Sequence, residues 1–235
     1  SNSAATMNIN MGLFKIVGSP VGAATKYYDL GHTDWWWKDT YSQRFLADLG
    51  GPAGAPEYSF VNDPDTGMYA SAANKLAFAT AATKQMEIDA DGAITKPNQP
   101  AFLAKPTSLQ SNRLYNYTHT VAFGTEVFDL GGDFESSIFT APVDGKYQLN
   151  ATVVIGDLDL DALYIVVKIF TSNRIYENIF SVTGNSSDED YFTAAVSHLA
   201  DMDDGDTAKI QFYQSGGVSQ ADIYTNSWFS GYLVC

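Results

Sequence analysis

The sequence contains very little cysteine and little positive charge. Cys235 is the single cysteine among 235 residues, so no intrachain disulfide and no paired-cysteine zinc motif can form. Thirteen Lys and Arg stand against 27 Asp and Glu, which gives a formal net charge of −14. That charge repels nucleic-acid phosphates and anionic membrane surfaces. We therefore expect stability to come from packing or subunit association, and we expect neither nucleic acid nor a membrane as a partner.

Helical periodicity and long apolar runs are equally scarce. The segment 41–49, YSQRFLADL, is the one predicted helix, because apolar residues recur every four positions before a Gly pair. No apolar run is long enough for a signal or membrane-spanning segment, so no membrane insertion is expected. Elsewhere short runs rich in Val, Ile, Phe, Tyr and Thr alternate with turn signals such as NDPDTG, DADG and VDG. The pattern predicts an all-β protein.

Composition divides the chain into three regions. Residues 1–55 contain the run DWWWKD and end in the Gly-, Ala- and Pro-rich segment GGPAGAP. Residues 56–100 contain short strand-like runs, YSF, GMYAS, KLAFAT and KQMEID, joined by tight turns. Residues 101–235 carry about ten strand-like runs, the pattern of a sandwich or jelly roll. We predict an N-terminal attachment region at 1–55, a short β-rich stalk at 56–100 and a head at 101–235.

Strands of two kinds are predicted in the head. In 145–153, GKYQLNATV, apolar and polar residues alternate strictly, as in a strand with one core face and one solvent face. The runs 162–170, ALYIVVKIF, and 222–235, DIYTNSWFSGYLVC, are instead apolar on both faces. The first of these two runs is predicted to turn Leu163, Ile165, Val167 and Ile169 toward the core. The second is predicted to form one continuous strand.

Only one face of a sandwich strand can meet the core, so the second apolar face of each run needs other cover. A second subunit supplies that cover most simply, and closed cyclic symmetry is the usual arrangement of copies. We therefore predict a homo-oligomer. The residues predicted to lie at its interface are Tyr164, Val166, Phe170, Tyr224, Trp228 and Tyr232.

Three segments of the head carry a shared signature: FTAPVDGKYQLNATV at 139–153, GDTAKIQFY at 205–213 and SWFSGYLV at 227–234. In this order and spacing they resemble the complement-one-q and tumour-necrosis-factor-like jelly roll. The resemblance implies a ten-stranded jelly roll that assembles as a compact homotrimer. No Gly-X-Y collagen repeat precedes the head. The most specific positions are Phe139, Pro142, Gly145, Tyr147, Phe229, Gly231 and Leu233.

The stalk sequence resembles a different group of proteins. Its pattern, SF-x-x-D-x-x-TGMY followed by L-x-F and M-x-I-x-x-x-G, is similar to a segment common in tailed-bacteriophage fibre and appendage proteins. Such short strands cannot build a stable core alone, so they are expected to bury small apolar faces against neighbouring chains. The positions that carry the resemblance are Ser59, Phe60, Asp63, Thr66, Gly67, Met68, Tyr69, Leu76, Phe78, Met86, Ile88 and Gly92.

Catalytic motifs are weak in this sequence. The triplet DTG at 65–67 matches aspartic proteases, but Pro64 and Gly67 predict a turn there instead. His32, His119 and His198 are not spaced as ligands of one metal, and no nucleophilic triad is recognisable. The sequence therefore predicts binding rather than catalysis, and no enzyme activity.

Carboxylates raise the question of calcium. Asp89 and Asp91 precede Gly92 but lack the remaining ligands of an EF-hand, so an Asp-Gly turn is the favoured interpretation. The run GDLDLDAL at 156–163 and the stretches SSDED and DMDDGD are interpreted as a solvated acidic rim, with calcium binding as the alternative. No cofactor is predicted.

Three consecutive tryptophans stand in the N-terminal region. Trp35, Trp36 and Trp37 cannot all point into one core, so at least one is expected to face a partner. Their place in the presumed attachment region favours anchoring, by burial against virion protein or between protomers, over sugar stacking. These features together predict a trimeric, surface-exposed phage appendage, a short tail or head fibre, that binds a host-surface glycan or protein. The alternative is a capsid or tail decoration protein that stabilises the particle without binding a receptor.

Overall fold

The computed structural model of the protein describes residues 50–184, 187–188 and 190–235. The predicted helix at 41–49 and the tryptophan run at 35–37 lie outside these residues. The described residues contain eighteen β-strands and no helix, and hence no helix that could cross a membrane. The predicted all-β class is confirmed.

The region predicted as a stalk, for which we keep that name, is a five-stranded antiparallel sheet in which each strand pairs with the next along the chain. Tight turns join the strands, as the sequence predicts. The turn after β4 is closed by Asp89, whose carboxylate accepts the backbone N–H groups of Asp91 at 3.0 Å and Ala93 at 2.9 Å. A turn is therefore present as predicted, but it is centred on Ala90 and Asp91 rather than on the Asp-Gly pair. The strands are β1 (Tyr58–Phe60), β2 (Asp63–Ala72), β3 (Lys75–Thr80), β4 (Thr83–Ile88) and β5 (Ile94–Thr95).

The predicted turn at the DTG triplet is wrong. Residues 65–67 lie inside β2, and the turn comes earlier, at Val61 and Asn62. Gly67 has a packing role rather than a turn role. A Cβ at this position would lie 1.9 Å from the backbone oxygen of Tyr58 in the paired strand β1, so only glycine allows the two strands to approach this closely.

The head is a sandwich of two antiparallel sheets, which we call the front sheet and the back sheet. In the front sheet β12 is central: it pairs with β15 on one side and with β17 and β18 on the other. The front strands are β6 (Ala101–Lys105), β7 (Gln110–Arg113), β9 (Thr125–Leu130), β12 (Gly145–Gly156), β15 (Phe192–Met202), β17 (Ala221–Ile223) and β18 (Trp228–Leu233).

The back sheet is organised around β16, which pairs with β13 on one side and with β11 and β8 on the other. Strands far apart in sequence thus lie side by side in both sheets, as in a jelly roll. The back strands are β8 (Thr118–Thr120), β10 (Phe134–Glu135), β11 (Ile138–Thr140), β13 (Ala162–Thr171), β14 (Ile175–Ser181) and β16 (Thr207–Gly216).

The core fills the space between the two sheets. Phe102 of β6 stacks on Phe134 at 4.7 Å and on Phe139 at 4.9 Å, and meets Phe229 edge to face at 4.9 Å. The predicted alternation of β12 is confirmed, because its apolar residues from Tyr147 to Val153 are buried. Tight packing of this kind also explains Gly231, where a Cβ would lie 2.6 Å from Leu149 and 2.7 Å from Phe102.

The predicted inner face of β13 is correct for three of its four residues. Ile165, Val167 and Ile169 are fully buried. Leu163, which was predicted to join them, is 56% exposed. The pairing with β16 shifts between Ala162 and Tyr164, so Leu163 is an extra, bulged residue whose side chain leaves the core.

Candidate binding surfaces

The outer face of the front sheet, here the front face, combines aromatic and apolar side chains. Trp228 and Tyr232 project from β18 and are 37% and 50% exposed. Residues paired across strands share a face, and this rule adds residues from β6, β9 and β15. The added apolar residues are Leu103, Phe128, Leu130 and Leu199.

A polar cluster occupies the centre of the front face. The Ser197 hydroxyl donates to the Asn150 side-chain oxygen at 2.7 Å. The Gln148 amide donates to the same oxygen at 3.1 Å and to the Ser197 hydroxyl oxygen at 3.0 Å. Because these groups already bond one another, covering the front face with a partner would leave few of them without hydrogen bonds.

Tyr224 reaches the front face from a turn rather than from a strand. The predicted continuous strand over 222–235 is wrong, since β17 ends at Ile223 and β18 begins at Trp228. Their partners on β12 are only three residues apart, Ile155 and Thr152, so the intervening residues bulge outward. The Tyr224 ring nevertheless covers Gly156 of β12, where a Cβ would lie 2.0 Å from it. Burial of this hydroxyl raises its pKa.

The outer face of the back sheet, here the back face, carries aromatic and apolar side chains among polar and charged ones. Tyr164 and Tyr213 lie on it with ring centroids 6.2 Å apart, and the Tyr213 hydroxyl donates to the Asn116 side-chain oxygen at 3.4 Å. Lys209 lies over the Phe170 ring at 5.3 Å. Further apolar residues on this face are Val166, Ile175 and Ile179.

The six predicted interface residues therefore divide between two opposite faces of the sandwich. Tyr164, Val166 and Phe170 belong to the back face, and the other three belong to the front face; their role at an interface stays a prediction. Sequence reasoning missed their neighbours because those come from other strands. The missed residues are Leu103, Phe128, Leu130 and Leu199 on the front face and Ile175, Ile179 and Tyr213 on the back face.

An apolar groove lies where the stalk joins the head. The Gln99 amide crosses this junction and donates to the Leu233 backbone oxygen at 2.6 Å. The groove is open to solvent, and residues of the last stalk strand and of the front face line it together. Its lining residues are Ile94, Lys96, Gln99, Pro100, Ala101, Leu130, Tyr232, Leu233 and Val234.

A family model described as the C1q domain matches residues 101–234, more than half of the chain. The chain belongs to the C1q domain family. Among solved structures it is similar to the globular domain of zebrafish complement 1qA, with 18% identity over 58% of this chain and 98% of that chain and a TM-score of 0.43. It is also similar to murine APRIL at pH 8.0, with 14% identity over 58% of this chain and 99% of that one and a TM-score of 0.42.

A search of curated proteins gave no match. The family match and the order of strands in the two sheets confirm the predicted jelly roll. The C1q head contains thirteen strand segments, and the predicted last strand is split into two of them, β17 and β18. C1q domains are trimeric receptor-binding or structural modules.

The acidic loop before β13 of the C1q head is only partly solvated, so its interpretation as an acidic rim is wrong for one residue. Asp159 is buried, whereas Asp157 and Asp161 are exposed. The Asp159 carboxylate accepts hydrogen bonds from the backbone N–H groups of Asp161, Val218 and Ser219. Burial alone would raise the pKa of Asp159, but these N–H donors outweigh it and lower the pKa below its usual value.

Metal ligation is not visible in the described part of the chain. Within residues 50–184, 187–188 and 190–235, no group of three or more His, Cys, Asp or Glu is placed to hold a metal ion. In the DMDDGD stretch Asp206 accepts hydrogen bonds from the Ser172 hydroxyl at 2.6 Å, the Asn173 amide at 2.9 Å and the Asp203 backbone at 3.0 Å. This carboxylate therefore closes a turn of the C1q head, and its bonds, led by that from Ser172, lower its pKa.

The stalk contains a cluster of charged side chains joined by hydrogen bonds. Glu87 of β4 accepts hydrogen bonds from Lys84 at 2.8 Å, Lys75 at 2.9 Å and the Ser71 hydroxyl at 2.7 Å. These partners, Lys84 first, lower the pKa of Glu87 from 4.5 to about 2. The cluster joins β2, β3 and β4 on one face of the stalk sheet.

Acid should weaken the stalk of the wild type more than that of a Glu87→Gln variant. Since the pKa of Glu87 falls from 4.5 to about 2 on folding, its ionised form stabilises the stalk above about pH 4.5, and this contribution is lost as the pH falls toward 2. Urea midpoints measured by circular dichroism between pH 7 and pH 2 test this. The urea midpoint of the variant should be lower than that of the wild type at pH 7 and should fall less in acid. Midpoints that fall in parallel for the two proteins would contradict this prediction.

Proposed function

We propose that the protein is a homotrimeric appendage of a tailed-bacteriophage particle whose C1q head binds a host-surface receptor, with a glycan as the ligand class. The stalk supports the particle assignment, because residues 56–94 resemble phage fibre segments. The C1q family supports binding rather than catalysis as the activity. In this proposal residues 1–55 attach the trimer to other virion proteins through Trp35, Trp36 and Trp37, and the head stands at the surface of the particle.

Symmetry limits which face can hold the trimer together. A closed ring of three copies needs two contact surfaces that meet at an angle, like the sides of a wedge. The front and back faces of a sandwich point in opposite directions, so copies joined front to back would form an open fibre. Only one of the two faces can therefore belong to the ring, and the other remains outside it.

We assign the front face to the trimer. Its apolar residues, including Trp228 and Tyr232, would be removed from water by a neighbour, and its polar cluster is already hydrogen-bonded internally, so burial would leave few polar groups without partners. It also continues into the groove beside Ile94 of the stalk, so one contact surface can serve both parts of an elongated assembly. Tyr164, Val166 and Phe170, which the sequence grouped with this interface, then remain outside it.

The back face is the proposed receptor surface, and its tyrosine pair, an exposed Tyr164 beside a half-buried Tyr213, is the observation that carries the proposal. Tyr164 and Tyr213 present two rings beside the polar side chain of Asn116. Aromatic rings offer apolar platforms with hydrogen-bonding edges, the chemistry that suits a sugar ring. Three such sites on a trimer, and several trimers on a particle, would add strength through effective concentration.

Replacing Tyr164 and Tyr213 together by Ala should weaken binding to host cells by about 30-fold at each site, the loss typical of aromatic residues central to an interface. Fluorescently labelled protein is titrated onto candidate host cells, with oligomeric state measured by light scattering in the same preparation. Tyr191→Ala is the matched control, because it removes an exposed ring that packs on Tyr224 near the front face. The control should bind like the wild type.

The outcomes separate the parts of this proposal. Saturable binding by a trimer that competes with infection supports receptor recognition. A trimer that binds no susceptible host overturns it in favour of a decoration protein, and unchanged binding by the double variant overturns the assignment of the back face. A monomeric wild type overturns the trimer.

A further inference from the structure

The two faces of the stalk sheet differ sharply. One face carries Tyr69, Ala77 and Glu87, which pair across β2, β3 and β4. This face is covered by the chain itself, because Ala53 packs on it and the Glu57 carboxylate holds the preceding segment in place. That carboxylate accepts the backbone N–H groups of Gly51 at 2.7 Å and of residue 70 at 3.2 Å.

The opposite face of the stalk sheet is entirely apolar along two rows of paired residues. One row crosses four strands and the other crosses three. No described segment covers this face, which we call the stalk face, and Ile94 is 62% exposed on it. An apolar patch of this extent marks an interaction site. The rows are Tyr58, Met68, Phe78 and Met86, and Leu76, Ile88 and Ile94.

We infer that the stalk face is covered by second copies of this chain, as a continuation of the front-face contact in the trimer. The inference rests on the proposed trimer and extends it to the stalk. Continuity carries the argument: Ile94 ends the stalk face and lines one groove together with Ala101, Leu130 and Tyr232 of the front face. A neighbour seated on the front face is thereby brought up to the stalk face.

Charge also favours a second copy. The chain has a formal net charge of −14, so two copies repel each other wherever acidic groups approach. Neither row of the stalk face contains a charged residue, and the charged groups Glu87, Lys75 and Lys84 bond one another on the opposite face. The stalk face is therefore a surface on which like-charged copies can meet without bringing carboxylates together.

Two isoleucines provide a matched test. Ile94 on the stalk face and Ile179 on the back face are each 62% exposed, and each lies in a strand. Ile94→Glu places a carboxylate from every copy in the proposed contact, so the protein concentration at which the trimer dissociates should rise by about 100-fold or more. Ile179→Glu should leave this concentration unchanged. Light scattering over a dilution series of the full chain measures both.

Methionine oxidation supplies a second readout, which reports the cover of the stalk face directly and does not rely on light scattering. Met68 and Met86 lie on the stalk face, so trimerisation should protect their thioethers from hydrogen peroxide. In the trimeric wild type and in Ile179→Glu both methionines should oxidise slowly, at a rate close to that of the fully buried Met202. In Ile94→Glu both should oxidise about ten times faster, as a loss of cover of that size implies.

Failure of this inference is distinguishable from failure of the trimer itself. The stalk contact would be overturned, while the head trimer stands, by two results together. The wild type would be a trimer whose Met68 and Met86 oxidise rapidly, and the Ile94→Glu variant would dissociate no more readily than Ile179→Glu. A monomeric wild type would overturn both. Circular dichroism of each variant shows whether its strands remain folded.

Discussion

Replacing Phe102 by Ala is expected to lower the free energy of unfolding of the head by about 4 kcal/mol. Phe102 is only 1% exposed and contacts three other rings, those of Phe134, Phe139 and Phe229. These rings come from both sheets, so truncation removes buried apolar area and leaves a cavity that no single strand can close. The position also explains Gly231, whose missing side chain makes room for the Phe102 ring.

Urea unfolding of Phe102→Ala, followed by the fluorescence of Trp228 with Trp35, Trp36 and Trp37 replaced by Phe in every protein compared, measures this loss. Phe170→Ala is the control, because Phe170 lies half-buried on the back face, outside the core, with Lys209 over its ring. The control should lose about 1 kcal/mol. Equal losses in the two variants would contradict the assignment of Phe102 to the centre of the core.

Strand interiors of the head were predictable where one face meets the core. The alternation from Tyr147 to Val153 specifies which side chains point inward, since a period of two is the only arrangement that buries them together. The same reasoning succeeded for Ile165, Val167 and Ile169. In each case neighbouring residues of one strand carry all the information that the prediction needs.

Irregular backbone was not predictable, because its cause lies in another strand. The bulge at Leu163 depends on the register with β16. Gly67 is glycine because β1 passes directly over it, and a local interpretation took it for a turn residue. Tyr224 leaves its strand because its neighbours must match a shorter segment of β12. A single sequence contains no sign of such contacts before the strands are paired.

Binding surfaces share this difficulty. The sequence identified strands with two apolar faces. In one copy of the chain three of the six residues predicted on the second faces are exposed, whereas Val166 is only 6% exposed because its neighbours cover it. The sequence could not show that the six predicted interface residues lie on two opposite faces, because the face of each residue depends on which sheet its strand joins. The stalk face likewise becomes visible only when Met68, Phe78 and Met86 are aligned across three strands.

Asp159→Ala is expected to lower the free energy of unfolding of the head by about 3 kcal/mol, because it removes the acceptor of three charge-assisted hydrogen bonds. The carboxylate ties the loop before β13 to the loop after β16 through Val218 and Ser219. Gly217 lets that loop approach, since a Cβ there would lie 2.8 Å from the same carboxylate. Without Asp159, the partly buried N–H groups of the loop lose their charged acceptor.

The pH dependence of this loss separates a charge effect from a packing effect. Because folding lowers the pKa of Asp159 below its usual 3.8, its contribution is complete above that value and disappears as the pH falls through the folded pKa. The difference between wild type and Asp159→Ala in urea unfolding should therefore shrink in acid. Asp161→Ala, at an exposed neighbour whose side chain is not part of this contact, should stay within about 0.5 kcal/mol of the wild type. A difference that is constant with pH would mean that the Asp159 side chain acts by filling space.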